Sequence, residues 1–146
     1  MKRLLVGYDF TAGSARALAR ALRLAARTGA AVEVVHAAPG GNCLPDQPSA
    51  HRRLLAEARI MAEELGADRI EVSACLRSGD AGEVIVAESE RFDADLVVLG
   101  AHGELRLRDP LFGTTATHVA RHGSRAILVA QHDDSKAYAR VMVALG

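Results

Sequence analysis

Short runs crowded with Val and Leu alternate along the chain with longer stretches whose apolar residues recur every three or four positions. The short runs cover residues 3–8, 31–37, 70–76, 95–100 and 126–130. Most are nearly continuous in apolar character, as expected of strands covered on both faces. Between the first two runs, Ala15, Leu18, Ala19, Leu22, Ala25 and Ala26 fall on one side of a helix, and Gly29 ends it. Ser49 is placed to cap a second helix running to about Leu65, with Gly66 after it. Asp80 and Glu83 make a capping-box pattern ahead of a third helix over 84–91. A fourth helix is predicted over 114–122, stopped by Gly123. The segment 39–48, PGGNCLPDQP, carries too many Gly and Pro for either pattern and reads as a loop.

Strictly alternating strands and helices predict an α/β domain with a parallel sheet and right-handed crossovers. The domain is expected over residues 1–131. A polar linker, QHDDSKAYA, then leads to a sixth apolar run at 140–145. The pattern ARVMVALG there is similar to the opening KRLLVGYD. It reads either as an ordinary C-terminal strand or as the first strand of a second copy of the domain, and the second reading is preferred.

Length and charge narrow the function. The 146 residues suit one domain, and 49% apolar with 25% charged residues argues for a packed core rather than disorder. Eighteen basic residues balance eighteen acidic ones, which argues against a dedicated nucleic-acid binder. No apolar run approaches the length of a membrane span, and the N-terminus turns polar too soon for a secretory signal. Cys43 and Cys75 form neither a disulfide framework nor a CxxC pair for zinc, so a cytoplasmic location is expected.

Open parallel sheets bind ligands beyond the carboxyl ends of their strands. Here those ends carry Asp9, then His36-Ala37-Ala38, then the spaced set Gly100, Gly103, Gly113, Thr114, Thr115. The first strand–helix turn, GYDFTAGS, matches neither the GxGxxG nor the GxxxxGK[ST] pattern. Phosphate binding therefore falls to the segment after the fourth strand. Gly100 and Gly103 remove side chains where backbone would approach a ligand. Gly113, Thr114 and Thr115 sit at the mouth of the fourth helix, where free N–H groups and the positive end of the dipole gather. Tight turns and close packing are the competing explanation for the glycines.

This glycine spacing resembles the ATP-binding signature of the universal stress protein family. The resemblance spans nearly the whole chain: VGYDFTAGSARAL, VEVVHAAP, DADLVVLGAHG and HGSRAILVA are each similar to family segments. It implies a Rossmann-like single domain, with an open five-stranded parallel sheet in the order 3-2-1-4-5 and helices on both faces. It further implies that Asp9 and the backbone near Tyr8 contact adenine or ribose and that Ala37 lines the adenine. Gly100 and Gly103 would contact ribose and phosphate, Gly113, Thr114 and Thr115 would hold the phosphates, and Leu99 and His102 complete the expected nucleotide-binding set. The implied cofactor is ATP with Mg²⁺. Two departures stand out: Thr114 occupies a position where the family often has Ser, and Ala37 one where a larger Val is common.

Other constellations are weaker. Asp9 lacks the companion acids and Lys of a receiver-domain phosphoacceptor. His118 and His122 have the i, i+4 spacing of a zinc pair but no HExxH glutamate, and are expected to face solvent. His102, Arg106 and Arg108 are loop residues within reach of phosphate or merely solvated. Cys75 is expected in the core. No nucleophile–base set is recognisable by spacing. The sequence therefore predicts a nucleotide-binding regulatory protein, with a slow Mg²⁺-dependent ATP hydrolase or phosphotransfer enzyme as the alternative. In the implied strand order the last strand, Ala126–Ala130, is an apolar edge without Lys or Pro, so a homodimer paired through it is expected.

Overall fold

The computed structural model describes residues 1–38, 40, 47–101 and 113–131. Five strands alternate with four helices: β1 (Arg3–Gly7), α1 (Ala12–Thr28), β2 (Ala31–Ala38), α2 (Gln47–Glu64), β3 (Val72–Ser78), α3 (Ala81–Arg91), β4 (Leu96–Gly100), α4 (Thr114–His122) and β5 (Ala126–Ala130). The strands form one parallel sheet in the order β3-β2-β1-β4-β5. In the centre, Leu5 of β1 stands level with Glu33 of β2 and Val97 of β4.

Alternate residues of each strand face opposite sides of the sheet. Leu4 and Val6 join Val32, Val34 and Val98 beneath Ala17, Leu18, Ala21 and Leu22 of α1 and Leu54 and Ala58 of α2. Leu5, Val35, Cys75, Val97 and Leu99 face the other way, beneath Val84 and Ile85 of α3 and Ala116 and Val119 of α4. The chain runs outward from β1 to β3, then crosses to β4 on the far side of β1. Consequently α1 and α4 leave neighbouring strands on opposite faces, and the carboxyl ends of β1 and β4 part.

Local signals account for most element ends. The Thr11 hydroxyl accepts the Ser14 N–H at 3.3 Å at the start of α1, and Gly29 closes it in the left-handed conformation at φ 72. The Asp80 carboxylate accepts the Glu83 N–H at 3.1 Å at the start of α3. Most boundaries shift by one to three residues from the sequence reading, and two of the shifts have a clear local cause. α2 begins at Gln47, inside the expected loop, so Ser49 is a residue of the first turn rather than its cap. Pro48 belongs to that turn, where a missing N–H costs nothing. β3 begins at Val72 because the Ile70 N–H bonds the Ala67 carbonyl at 3.2 Å in a turn that follows α2. The expected strand at 140–145 and Cys43 lie outside the described residues.

Candidate functional site

An open crevice of about 80 Å³ occupies the parting of β1 and β4. Its walls come from six elements and the turns beside them. Gly7, Tyr8 and Asp9 end β1, Val35 and Ala37 come from β2, Ala81 and Ile85 from α3, and Leu99, Gly100 and Ala101 from the end of β4. Thr11 and Ser14 close the α1 side, while Gly113, Thr115 and Ala116 stand at the start of α4. The structure thus brings Tyr8, Asp9, Ala37, Leu99, Gly100, Gly113 and Thr115 together. Thr114 is exposed at the first position of α4 and lies outside the lining. His102, Gly103, Arg106 and Arg108 lie outside the described residues.

Tyr8 meets the crevice through its main chain, because its side chain belongs to the core under α1 and α2. Its hydroxyl donates to the Glu57 carboxylate at 3.2 Å. Burial, with the Glu57 charge beside it, pushes the phenol above its usual range. The Tyr8 N–H bonds the Val35 carbonyl at 2.9 Å, and the Tyr8 carbonyl accepts from His36 Nδ1 at 2.8 Å. The rim of β1 and β2 is therefore held rigid behind the crevice.

Asp9 stands in a turn stabilised by its own neighbours. Its carboxylate accepts the Thr11 N–H at 3.1 Å and the Thr11 hydroxyl. Its N–H donates to Ser14 Oγ at 3.3 Å, and Ser14 Oγ donates to the Thr11 carbonyl at 3.0 Å. Phe10 between them adopts φ 62, a conformation side chains rarely take. Edge contacts with the Tyr8 ring at 5.2 Å and the His36 ring at 5.0 Å hold it there. The start of α1 is thus closed by the chain itself.

The start of α4 is built differently. Gly113 is its N-cap and supplies no side-chain hydrogen bond. The first helical bond runs from the Thr117 N–H to the Gly113 carbonyl at 3.0 Å. The amides of Thr114, Thr115 and Ala116 precede it and have no carbonyl partner within the helix, and Gly113, Thr115 and Ala116 line the crevice. Gly113 lies at φ −62, an ordinary extended conformation, so its backbone does not require a glycine.

Gly100 has a packing role that sequence spacing did not separate from a ligand role. A Cβ there would lie 2.4 Å from the carbonyl carbon and oxygen of Gly13. A Cβ on Gly13 would in turn lie 2.6 Å from the Ala101 carbonyl oxygen. The two glycines let the first turn of α1 rest on the end of β4. His118 also departs from the expected solvent-facing position. It is half-buried over Gly82, where a Cβ would come within 2.7 Å of its ring, and it stacks on His122 with centroids 4.5 Å apart.

A buried polar cluster went unread in the sequence. Glu33, Cys75 and Glu88 place their ligating atoms within 4.8 Å of one another beneath α3. The one available signal was a lone Glu inside the apolar strand AVEVVHAA.

The pattern of the Universal stress protein family matches residues 1–131. The stress response protein NhaX of Bacillus subtilis is 24% identical, the match covering 87% of this chain and 96% of that protein. Among solved structures, a universal stress protein in complex with cAMP superposes with a TM-score of 0.68 at 24% identity, over 89% of this chain and 96% of its own. An Arabidopsis thaliana universal stress protein family member with AMP bound gives 0.65 at 18% identity, over 95% and 97%.

Proposed function

Because the chain belongs to the universal stress protein family, we propose that it is a regulatory protein of stress responses that binds ATP in the crevice between β1 and β4. One observation carries this reading. The uncapped start of α4 faces the same crevice that Asp9 and Ala37 line from the opposite side. An anion-seeking helix end opposite an apolar, carboxylate-edged pocket suits a molecule with phosphates at one end and a base at the other. The relatives solved with cAMP and with AMP support adenine as that base.

In this reading Ala37 and Val35 lie against adenine, and Asp9 accepts from the ribose or base. The Thr115 hydroxyl and the amides of Thr114, Thr115 and Ala116 hold the phosphates. Gly100, His102 and Gly103 are further proposed contacts to ribose and phosphate. Mg²⁺ fits as a companion of the phosphates rather than as a protein-bound ion. The carboxylate in the crevice, Asp9, already accepts from the Thr11 N–H and hydroxyl, and Mg²⁺ is readily held by phosphates and water. The same engagement of Asp9 favours binding over turnover.

Calorimetry tests this reading. Wild type should bind ATP, and Gly113→Val should abolish binding while the extended backbone keeps the fold intact. Unchanged ATP affinity in that variant would move the site elsewhere.

Assembly follows from β5, which is an edge strand of the sheet with Val129 half-buried. An isologous pairing of two β5 strands would close both edges and give a homodimer. Light scattering should report a dimer for wild type and a monomer for Val129→Lys. No helix among the described residues is long and apolar enough to cross a membrane, and Cys75 is buried and unpaired. Both suit a cytoplasmic setting.

A further inference from the structure

The cluster beneath α3 belongs to no part of the nucleotide reading, yet it joins two walls of the crevice. Glu33 is 6% exposed and Glu88 3%, and their carboxyl groups lie within 4.8 Å of each other and of the Cys75 thiol. Glu33 comes from β2, where alternation puts it on the same face as Val35 and Ala37 of the crevice. Glu88 lies one turn along α3 from Ile85, which lines the crevice with Ala81.

The cluster is wired by two half-exposed arginines. Arg91 Nη2 stands 2.8 Å from Glu33 Oε1, and Arg91 also donates to Glu88 Oε1. Arg77 Nε stands 3.4 Å from Glu88 Oε2, and Ser73 Oγ donates to Glu33 Oε2 at 3.4 Å. These guanidiniums already hold the oxygens a metal ion would need, so a metal is the wrong occupant. The occupant that suits two crowded buried carboxyls is a proton shared between them.

We propose that the Glu33–Glu88 pair is a proton-operated clamp between α3 and the sheet, and that it regulates how tightly the crevice closes. With one proton the carboxyls attract, and α3 is held down on β2. Loss of that proton adds a second buried negative charge beside Glu88, which the half-exposed Arg91 offsets only in part, and α3 loosens at its Ile85 turn. Burial raises the Glu33 carboxyl above its usual range, with a hydrogen bond to Glu88 adding to the effect. Burial also opposes ionisation of Glu88, but hydrogen bonds from Arg91 and Glu33 outweigh it and lower its pKa. The two carboxyls therefore titrate as one pair. A raised acid favours the folded clamp below its ordinary pKa, and that contribution disappears as pH rises through the raised value.

The other groups around the pair are accounted for. The Cys75 thiol is pushed up to about 11, chiefly by burial, and so stays neutral across this range. Arg77 and Arg91 stay charged. β1 contributes Leu5, which cannot titrate. His118 of α4 rests on Gly82 at the other end of α3, which Asp80 caps.

The consequence for ligand affinity rests on the nucleotide reading of the crevice, whereas the clamp itself does not. Amide hydrogen exchange on the ligand-free protein between pH 5 and 8, corrected for intrinsic rates, tests the clamp. Protection of α3 relative to α1 should fall by up to about tenfold per pH unit across the titration of the pair, as expected for one proton released on opening. Glu33→Gln, a neutral mimic of the protonated group, should flatten that profile to within about twofold. Glu88→Gln should flatten it too, and His118→Ala should leave it standing. Parallel courses for α3 and α1 in wild type would overturn the clamp, as would a wild-type step in Glu33→Gln or its loss in His118→Ala. ATP affinity on the same samples should fall with pH in wild type and stay level in Glu33→Gln. An α3 step without nucleotide binding at any pH would retain the clamp and overturn the functional reading. Binding without an α3 step would do the reverse.

Discussion

The face of the sheet under α1 and α2 is closed almost wholly by aliphatic side chains and alanines, whereas the face under α3 and α4 carries both the crevice and the buried carboxyl pair. Leu4, Val6, Leu18, Leu22, Val32 and Val34 are at most 1% exposed on the first face. The second face has its own buried core, yet it also hides Glu33 and Glu88, and α4 begins without a side-chain cap. The contrast separates two jobs within one sheet. The first face supplies cohesion, and the second gives up apolar packing at the crevice and at the buried carboxyl pair.

The largest break in this contrast should come from the first face. Leu22→Ala is expected to lower stability by about 2–5 kcal/mol, because the transfer term and a cavity in a close-packed layer add. Urea unfolding would measure it, and a loss under about 1 kcal/mol would mean that this face is not the stabilising one. Gly100→Ala comes next, at about 1–3 kcal/mol, because the new methyl meets the Gly13 backbone and the first turn of α1 must lift. That variant sharpens the comparison if thermal unfolding shows the loss even without nucleotide, since packing alone then accounts for Gly100. A smaller and pH-dependent effect belongs to Glu88. Its lowered pKa means that its contribution is present above the ordinary carboxylate range and is lost as pH falls through the folded value. Glu88→Gln should therefore narrow the stability gap between pH 6 and pH 3 in denaturation curves, and an unchanged gap would assign acid sensitivity to other groups.

Much of this architecture was legible because its signals are local. Strands buried on both faces read as apolar runs, and Gly29 and Asp80 mark helix ends within a few residues of the bonds they make, while the Thr11 cap emerges only from the structure. Pro48 misled because proline marks loops as readily as first helical turns. The contraction at Gly13 and Gly100 was hidden, since the two glycines meet only once α1 lies on β4. The clamp was hidden for the same reason: Arg91 reaches Glu33 across 58 positions of sequence. The spaced glycines identified the end of the sheet where the crevice lies, but not which of them face a ligand and which face a neighbouring turn.

The most direct test of the account is a backbone amide NMR titration of the protein with ATP. The account predicts that shifts concentrate at Asp9, Ala37, Gly113, Thr114 and Thr115, around the carboxyl ends of β1, β2 and β4 and the start of α4. Leu18, Leu22 and Leu54 on the opposite face should stay still. Shifts centred under α1 and α2, or none at saturating ATP, would contradict it.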